Sequence, residues 1–368
     1  MQTMRILRSA LMLGAAIGFT FSVSSFGISP VSADPVSFDG KVVTMIIPAG
    51  AGGGTSAVGR LLGDHIVKHL PGHPRIVYRN MPAGGGMAAF NYFVREVKPD
   101  GLTMVVAANA SSDPIRFRRP GSNYNPADFE IVGGVARGAS ILIINKEAQP
   151  RLTQGGAQPV VMGAYDANRS GEQMALWGRE YLGWNIKWVI GYPGTAEITM
   201  ALQRGEIDMI STGNMFLIND LVKAGKFAVL AQTGSLVEGK VMPRSEFPDA
   251  MLFPNQIRPK LDNELAKKAF DYWEGLNAQD KWVALPQHTP KAVVAAYRDA
   301  FRAVAKDKEF LDQGIKIISA EFAPILPEDQ EVLLRQVANT PDEALGYLNV
   351  LKKKQGLPVD TKSSSGGE

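Results

Sequence analysis

The chain has 368 residues, 39 Lys and Arg against 36 Asp and Glu, and no cysteine. So even a charge balance excludes an extended basic face for nucleic acid and a polybasic membrane anchor. Without disulfides, stability has to come from a buried core, which a chain of this length can build.

The first segment, through Ala33, reads as a secretory signal peptide. Arg5 and Arg8 start it, Leu11 to Phe21 is apolar, and Val31-Ser32-Ala33 is a small-x-small cleavage site before Asp34. A membrane anchor is the competing reading, but the apolar run is short and is broken by Ser22, Ser24 and Ser25. Cleavage after Ala33 removes Arg5 and Arg8 and no acid, which lowers the formal charge of +3 by two. The product is expected in the periplasm, and attraction to an anion has to be local.

Short apolar runs then alternate with amphipathic ones. Strands are expected at Val42–Pro48, Arg75–Tyr78, Thr103–Ala107, Ile141–Ile144, Val160–Gly163, Trp188–Ile190, Met209–Ile210 and Ala228–Gln232. Helices are expected at Thr55–Leu70, Gly86–Val97, Glu172–Leu182, Ala196–Arg204 and Asn214–Ala224. This alternation implies α/β layers on a largely parallel sheet. The last third reads as helical, with Leu261–Phe270, Pro290–Lys306 and Pro327–Val337, few strands, and a polar tail from Thr361 to Glu368. The chain divides into an early α/β unit, a middle one from about Ala139, and a late helical part from about Gly234. A cleft between two such units is a usual place for a small molecule.

The first strand runs into Ala49-Gly50-Ala51-Gly52-Gly53-Gly54-Thr55-Ser56 and then a helix. Strand, glycine loop and helix start leave backbone N–H groups free to meet an anion. A dinucleotide fingerprint fails because Thr55 stands where a glycine is needed and the second strand ends in Tyr78-Arg79-Asn80, without an acid. A phosphate P-loop fails because Arg60-Leu61 follows Gly59. The second strand ends in a similar loop, Asn80 to Gly86, containing Ala83, Gly84 and Gly85. Asn109-Ala110-Ser111-Ser112 follows the third strand and brings polar groups to the same edge. In the middle unit, Asn168, Arg169 and Ser170 precede one helix, and Pro193-Gly194-Thr195-Ala196 open another with Thr195 as its cap. Arg169 is placed to pair with a carboxylate or to stand in solvent.

Other groups carry bland readings. Arg116, Arg118 and Arg119 form a solvated loop cluster, or a patch that steers anions at the cleft mouth. His65 and His69 share a helical face and are a conceivable zinc pair, but Asp64 is the only carboxylate nearby in sequence, so favourable placement near a helix end is preferred. No nucleophile elbow or paired carboxylates are present, so no catalytic residues, cofactor or metal are expected.

Taken in order along the chain, several segments resemble the extracytoplasmic receptors of the tripartite tricarboxylate transporters, the Bug or TctC-like proteins. Ile46 to Ser56 is similar to their V-P-F-x-x-G-G-x-T-D loop, and Tyr78 to Gly86 to their V-E-N-[KR]-P-G-A-G-G loop. Lys98-Pro99-Asp100-Gly101-Leu102-Thr103, Gly191-Tyr192-Pro193-Gly194-Thr195-Ala196 and Val222-Lys223-Ala224-Gly225-Lys226 resemble later motifs. Ala49 replaces the family's Phe and Ser56 its Asp. The resemblance implies a type II periplasmic binding protein, two α/β domains joined by a hinge with the ligand cleft between them. It divides the mature chain into residues 34–138 with 235–368, and residues 139–234. It also implies a monomer that binds a small organic anion, commonly a carboxylate, and delivers it to integral-membrane permease subunits. A sensory receptor, or an exported enzyme for a phosphorylated substrate, are the competing functions.

Overall fold

The computed structural model describes residues 36–359, apart from residues 52, 53, 166, 168, 193, 194, 214, 238 and 239. The signal-peptide reading, its cleavage site and the polar tail lie outside the described residues. No helix among the described residues is long and apolar enough to cross a membrane.

Fourteen strands are present among the described residues. In chain order they are β1 (Val42–Ile47), β2 (Arg75–Asn80), β3 (Thr103–Ala108), β4 (Glu130–Ala136), β5 (Ile141–Asn145), β6 (Val160–Gly163) and β7 (Ile186–Val189). They continue with β8 (Met209–Thr212), β9 (Phe227–Gln232), β10 (Ser235–Val237), β11 (Lys240–Met242), β12 (Met251–Leu252), β13 (Lys281–Leu285) and β14 (Ala323–Ile325). One six-stranded sheet has the order β14-β4-β13-β3-β1-β2, and another β12-β9-β5-β8-β6-β7. β10 and β11 form a separate hairpin.

The expectation of a largely parallel sheet is corrected. Both sheets are mixed: β1 pairs in parallel with β2 and β3, whereas β13 is antiparallel to both β3 and β4. In the other sheet β5 is antiparallel to β8 and β9. β13 lies in the last third of the chain, where the sequence shows mainly helices and no strand is assigned, yet every residue of it is buried at the middle of the first sheet. Its neighbour β4 carries Gly133 and Gly134, which look like strand breakers. A Cβ at Gly133 would lie 2.5 Å from the Phe301 ring, and one at Gly134 1.8 Å from Gln330 Oε1, so the missing side chains admit the helices packed on this sheet.

The helix Gly54–His69 lies on the first sheet, burying Val58, Leu61, Leu62 and Ile66 in one core with Val43, Met45 and Phe301. A second core joins Leu142, Val160 and Met209 of the other sheet to Trp177 and to residues from the end of the chain, including Phe270, Trp273 and Leu348. The Trp177 ring meets Phe270 edge-on at 5.0 Å. Helices Glu264–Ala278 and Asp342–Lys354 therefore take their packing from that second core. The helices Lys308–Ile317 and Asp342–Lys354 are elements that the sequence reading did not identify.

Candidate functional site

The parallel register of β1 and β2 places Ile47 opposite Asn80, so their two glycine loops leave the sheet side by side. Asn80 joins them: its Nδ2 donates to Ala49 O at 2.8 Å and to Ser56 Oγ at 3.2 Å. Ser56 is wholly buried and acts as a link beneath the loop. Gly84, Gly85 and Gly86 all take left-handed conformations, with φ of 63°, 66° and 92°. A Cβ on Gly86 would meet Pro48 O at 2.6 Å, so glycine is what allows the second loop to close on the first. Gly50, Ala51, Gly54, Ala83, Gly84 and Gly85 are exposed along this edge, and Thr55 is half-buried. Gly52 and Gly53 lie outside the described residues.

A cleft of about 1160 Å³ opens beside that edge. Asn109 and Ala110, after β3, line it on the side of the first sheet, while Tyr165, Arg169, Ser211 and Thr212 line it on the side of the second. The described residues of the two glycine loops border the adjoining edge and are not part of this lining. Asn109 is fixed in place, its Nδ2 donating to Leu276 O at 3.0 Å and its Oδ1 accepting from Ala110 N at 2.8 Å. Ser111 accepts from Tyr124 through its carbonyl at 3.2 Å.

Beyond the cleft lining, Ser170 and Thr195 are the first residues of the helices Ser170–Tyr181 and Thr195–Arg204, so Ser170, expected ahead of its helix, and Thr195, expected as a cap, stand inside them. Ala196 follows in the latter, whereas Asn168, Pro193 and Gly194 lie outside the described residues. The loop before Ser170 is braced by Glu172, which sequence reasoning passed over. Its two carboxylate oxygens accept from Tyr165 N and Ala167 N, each at 2.9 Å, and Ala167 has a left-handed φ of 61°. A glutamate two residues into a helix, after a loop rich in polar residues, is the signal that would have found it. The brace holds Tyr165 under Arg169, whose guanidinium carbon stands 3.3 Å from the ring centre.

The three arginines after β3 diverge. Arg118 pairs with Asp342 at 2.5 Å and donates to Ala338 O at 2.8 Å. Arg119 donates to Gly84 O at 3.1 Å, across the second glycine loop. Arg116 alone faces the cleft, on the short helix Pro114–Phe117 that Asp113 caps through Ile115 N at 2.9 Å. The three therefore do not act as one solvated cluster: Arg118 and Arg119 are tied into the fold, and Arg116 alone stands at the cleft.

The charges of the lining are unequal in their commitments. Asp113 also accepts from Tyr272 at 2.9 Å. Asp280 is paired with Lys281 at 2.7 Å and Arg137 at 3.2 Å. Burial pushes the Lys281 ammonium below its ordinary range, and Asp280 opposes that shift. Glu172 is occupied as described, and Glu246 faces Arg244 and Ser245. Every described carboxylate lining the cleft is thus engaged inside the protein. Arg116 and Arg169, on opposite walls, have no carboxylate partner among the described residues.

No protein-family model matches the sequence, and no curated protein matches it. Solved structures do. The chain is similar to a TctC solute-binding protein from Polaromonas, with a TM-score of 0.62 and 17% identity over 86% of this chain and 100% of that one. It is similar to the periplasmic binding protein BugD, with a TM-score of 0.51 and 21% identity over 87% and 99%. It also resembles an R. palustris protein solved with adipate, with a TM-score of 0.53 and 18% identity over 86% and 98%. The shared feature is the fold, the two-sheet α/β architecture of periplasmic binding proteins.

Proposed function

We propose that the chain is an extracytoplasmic solute-binding protein of the tripartite tricarboxylate transporter type, acting in the periplasm. It captures a small organic anion, a carboxylate, and presents it to a membrane permease. The observation that carries this reading is the charge imbalance of the cleft: among the described residues its carboxylates are all engaged, and Arg116 and Arg169 face it from opposite walls without a carboxylate partner. Such a lining favours an anion at its centre. The ordered motifs of the sequence and the shared fold support the same reading, and the adipate carried by one structural neighbour gives a first ligand to try.

In this reading, the backbone of Gly50–Ser56 and Asn80–Gly85 receives one end of the anion directly or through water. Asn109 and Ser111 border it, and Arg169, Asn168, Ser170 and the turn Pro193–Ala196 close from the other wall about a hinge. The two moving parts are then the first sheet, with β13 and β14, and the second sheet, with β12 and the helices Glu264–Ala278 and Asp342–Lys354 packed on it, so the expected grouping of residues 235–368 with 34–138 holds only in part. Closure follows because contact with both walls is made only in the closed form. The protein performs no chemistry on its guest.

The test is mass spectrometry of anions released from the purified protein, followed by calorimetry with the recovered anion and with adipate. Saturable binding of a carboxylate at one site per chain is expected. Recovery of a neutral or cationic guest, or turnover of a phosphoester, overturns the reading.

A further inference from the structure

We propose that His65, His69, Asp307 and Glu309 form a binding site for one divalent transition-metal ion of the zinc class, away from the cleft. Spacing alone brings the two histidines to one face of the helix Gly54–His69, but leaves them short of ligands. Asp64, the neighbouring acid, is engaged elsewhere, accepting from Tyr78 at 2.5 Å. The fold supplies the missing carboxylates from a segment 242 residues further on.

Asp307 caps the helix Lys308–Ile317, its Oδ1 accepting from Glu309 N at 2.9 Å. That bond turns Oδ2 toward the histidines. His65 Nδ1 lies 3.0 Å from Oδ2, and His69 Nε2 lies 3.5 Å from the same oxygen. Two imidazole nitrogens from successive turns converge on one point. One ligand atom each from His65, Asp307 and Glu309 lie within 4.8 Å of one another. Bonds of about 2.0–2.2 Å to zinc place tetrahedral ligands roughly 3.3–3.6 Å apart, so these three atoms have to draw together on an ion, and His69, which lies outside that set but reaches the same Asp307 oxygen, has to turn in as the fourth ligand.

The surroundings fit such a site. His65 is 2% exposed and is held edge-on to Phe310 at 5.3 Å, which fixes its ring. His69 and Asp307 are 33% and 20% exposed and leave a route from solvent. Two imidazoles and two carboxylates with no thiolate suit zinc, nickel or cobalt rather than copper(I). Lys68 holds Glu309 at 3.0 Å, but both partners are more than half exposed, and such a pair gives way at little cost. An ion here ties the helix Gly54–His69 to the helix Lys308–Ile317.

The protein, stripped with chelator, is titrated with zinc chloride by calorimetry, and with cobalt(II) to read the visible band of a tetrahedral site. One ion per chain is expected, with a rise in melting temperature. His69→Ala and Glu309→Gln, both at solvent-accessible positions, weaken zinc binding at least about tenfold, and His69→Ala abolishes the rise in melting temperature. Lys68→Gln tightens binding. His73→Ala and His288→Ala, which remove the other two histidines, leave it unchanged. No zinc binding, or equal affinity in the His69→Ala and Glu309→Gln proteins, overturns the proposal.

Discussion

The Nε of Arg244 lies 2.8 Å from Glu321 Oε2, and the arginine side chain is completely buried. The same guanidinium donates to Ala139 O at 2.8 Å and stands 3.9 Å from Glu246. Ala139 N in turn donates to Glu321 Oε2 at 3.3 Å. Three stretches of chain meet here: the link from β4 to β5, the segment after β11, and the approach to β14. One arginine thus serves two carboxylates where the chain passes from the first sheet to the second.

This arrangement makes stability depend on pH. Burial pushes Glu321 up to about 7 against an ordinary 4.5; Arg244 opposes the shift, and the neighbouring Glu246 adds to it. Glu246 itself is held below its ordinary value: burial opposes this, but hydrogen bonds and Arg244 outweigh it. Because Glu321 binds its proton more tightly in the folded state, its contribution is full below about 4.5 and is lost as the pH rises through about 7. Urea unfolding at pH 5 and pH 8 should show the wild type losing ~1–2 kcal/mol from this source. Glu321→Gln, which cannot ionise, should lack that loss. Parallel pH profiles for the two proteins would rule the assignment out.

A second expectation concerns the two glycine loops. Gly86→Ala places a Cβ 2.6 Å from Pro48 O and imposes a left-handed φ of 92° on alanine. Gly85→Ala meets only the conformational cost, since its nearest neighbour, Arg119, stands 4.0 Å away. Gly85→Ala should cost about 1 kcal/mol and Gly86→Ala on the order of 2–3 kcal/mol by denaturant unfolding. Equal costs would mean that the loops do not touch as described.

These loops also mark what the sequence disclosed. β1, β2 and β3 were legible because each is a bounded apolar run ending in a polar or glycine turn, and their shared edge followed from that order. The antiparallel β13 was not legible, since its seat between β3 and β4 is fixed by pairing with residues far away in sequence. The bracing of Tyr165 and Ala167 by Glu172, and the joining of Ala49 to Ser56 through Asn80, depend on side-chain direction, which spacing does not give. The histidine pair shows the same limit: its face was readable, and the carboxylates opposite it were not.

Asn80 gives a third test. Its amide donates to two acceptors, Ala49 O and Ser56 Oγ. Asn80→Asp replaces that donor with a charged acceptor facing the Ala49 carbonyl, so the link to Ala49 is lost and turned into a repulsion. A loss of about 1–3 kcal/mol in stability is expected, with weaker binding of the recovered anion. Asn80→Ala removes the link without the repulsion and should cost less in stability. If Asn80→Asp is the milder substitution by denaturant unfolding, the amide is not oriented as given.

The two cleft arginines separate binding from folding. Arg116 and Arg169 are exposed and form no ion pair among the described residues, so changing them to glutamine should leave unfolding within ~0.5 kcal/mol of wild type. A charge-assisted hydrogen bond to a carboxylate is worth roughly 1.5–3 kcal/mol, or about tenfold to a hundredfold in affinity. Arg169→Gln should fall in that range for the recovered anion, measured by calorimetry. Arg116→Gln should act similarly if the guest spans the cleft, and more weakly if it sits against the second wall alone. Attraction by these charges weakens with added salt, and the double variant should lose most of the salt dependence of wild type. Unchanged affinity in both single variants would remove the arginines from recognition and leave the main-chain groups of the glycine loops as the sole hold on the anion.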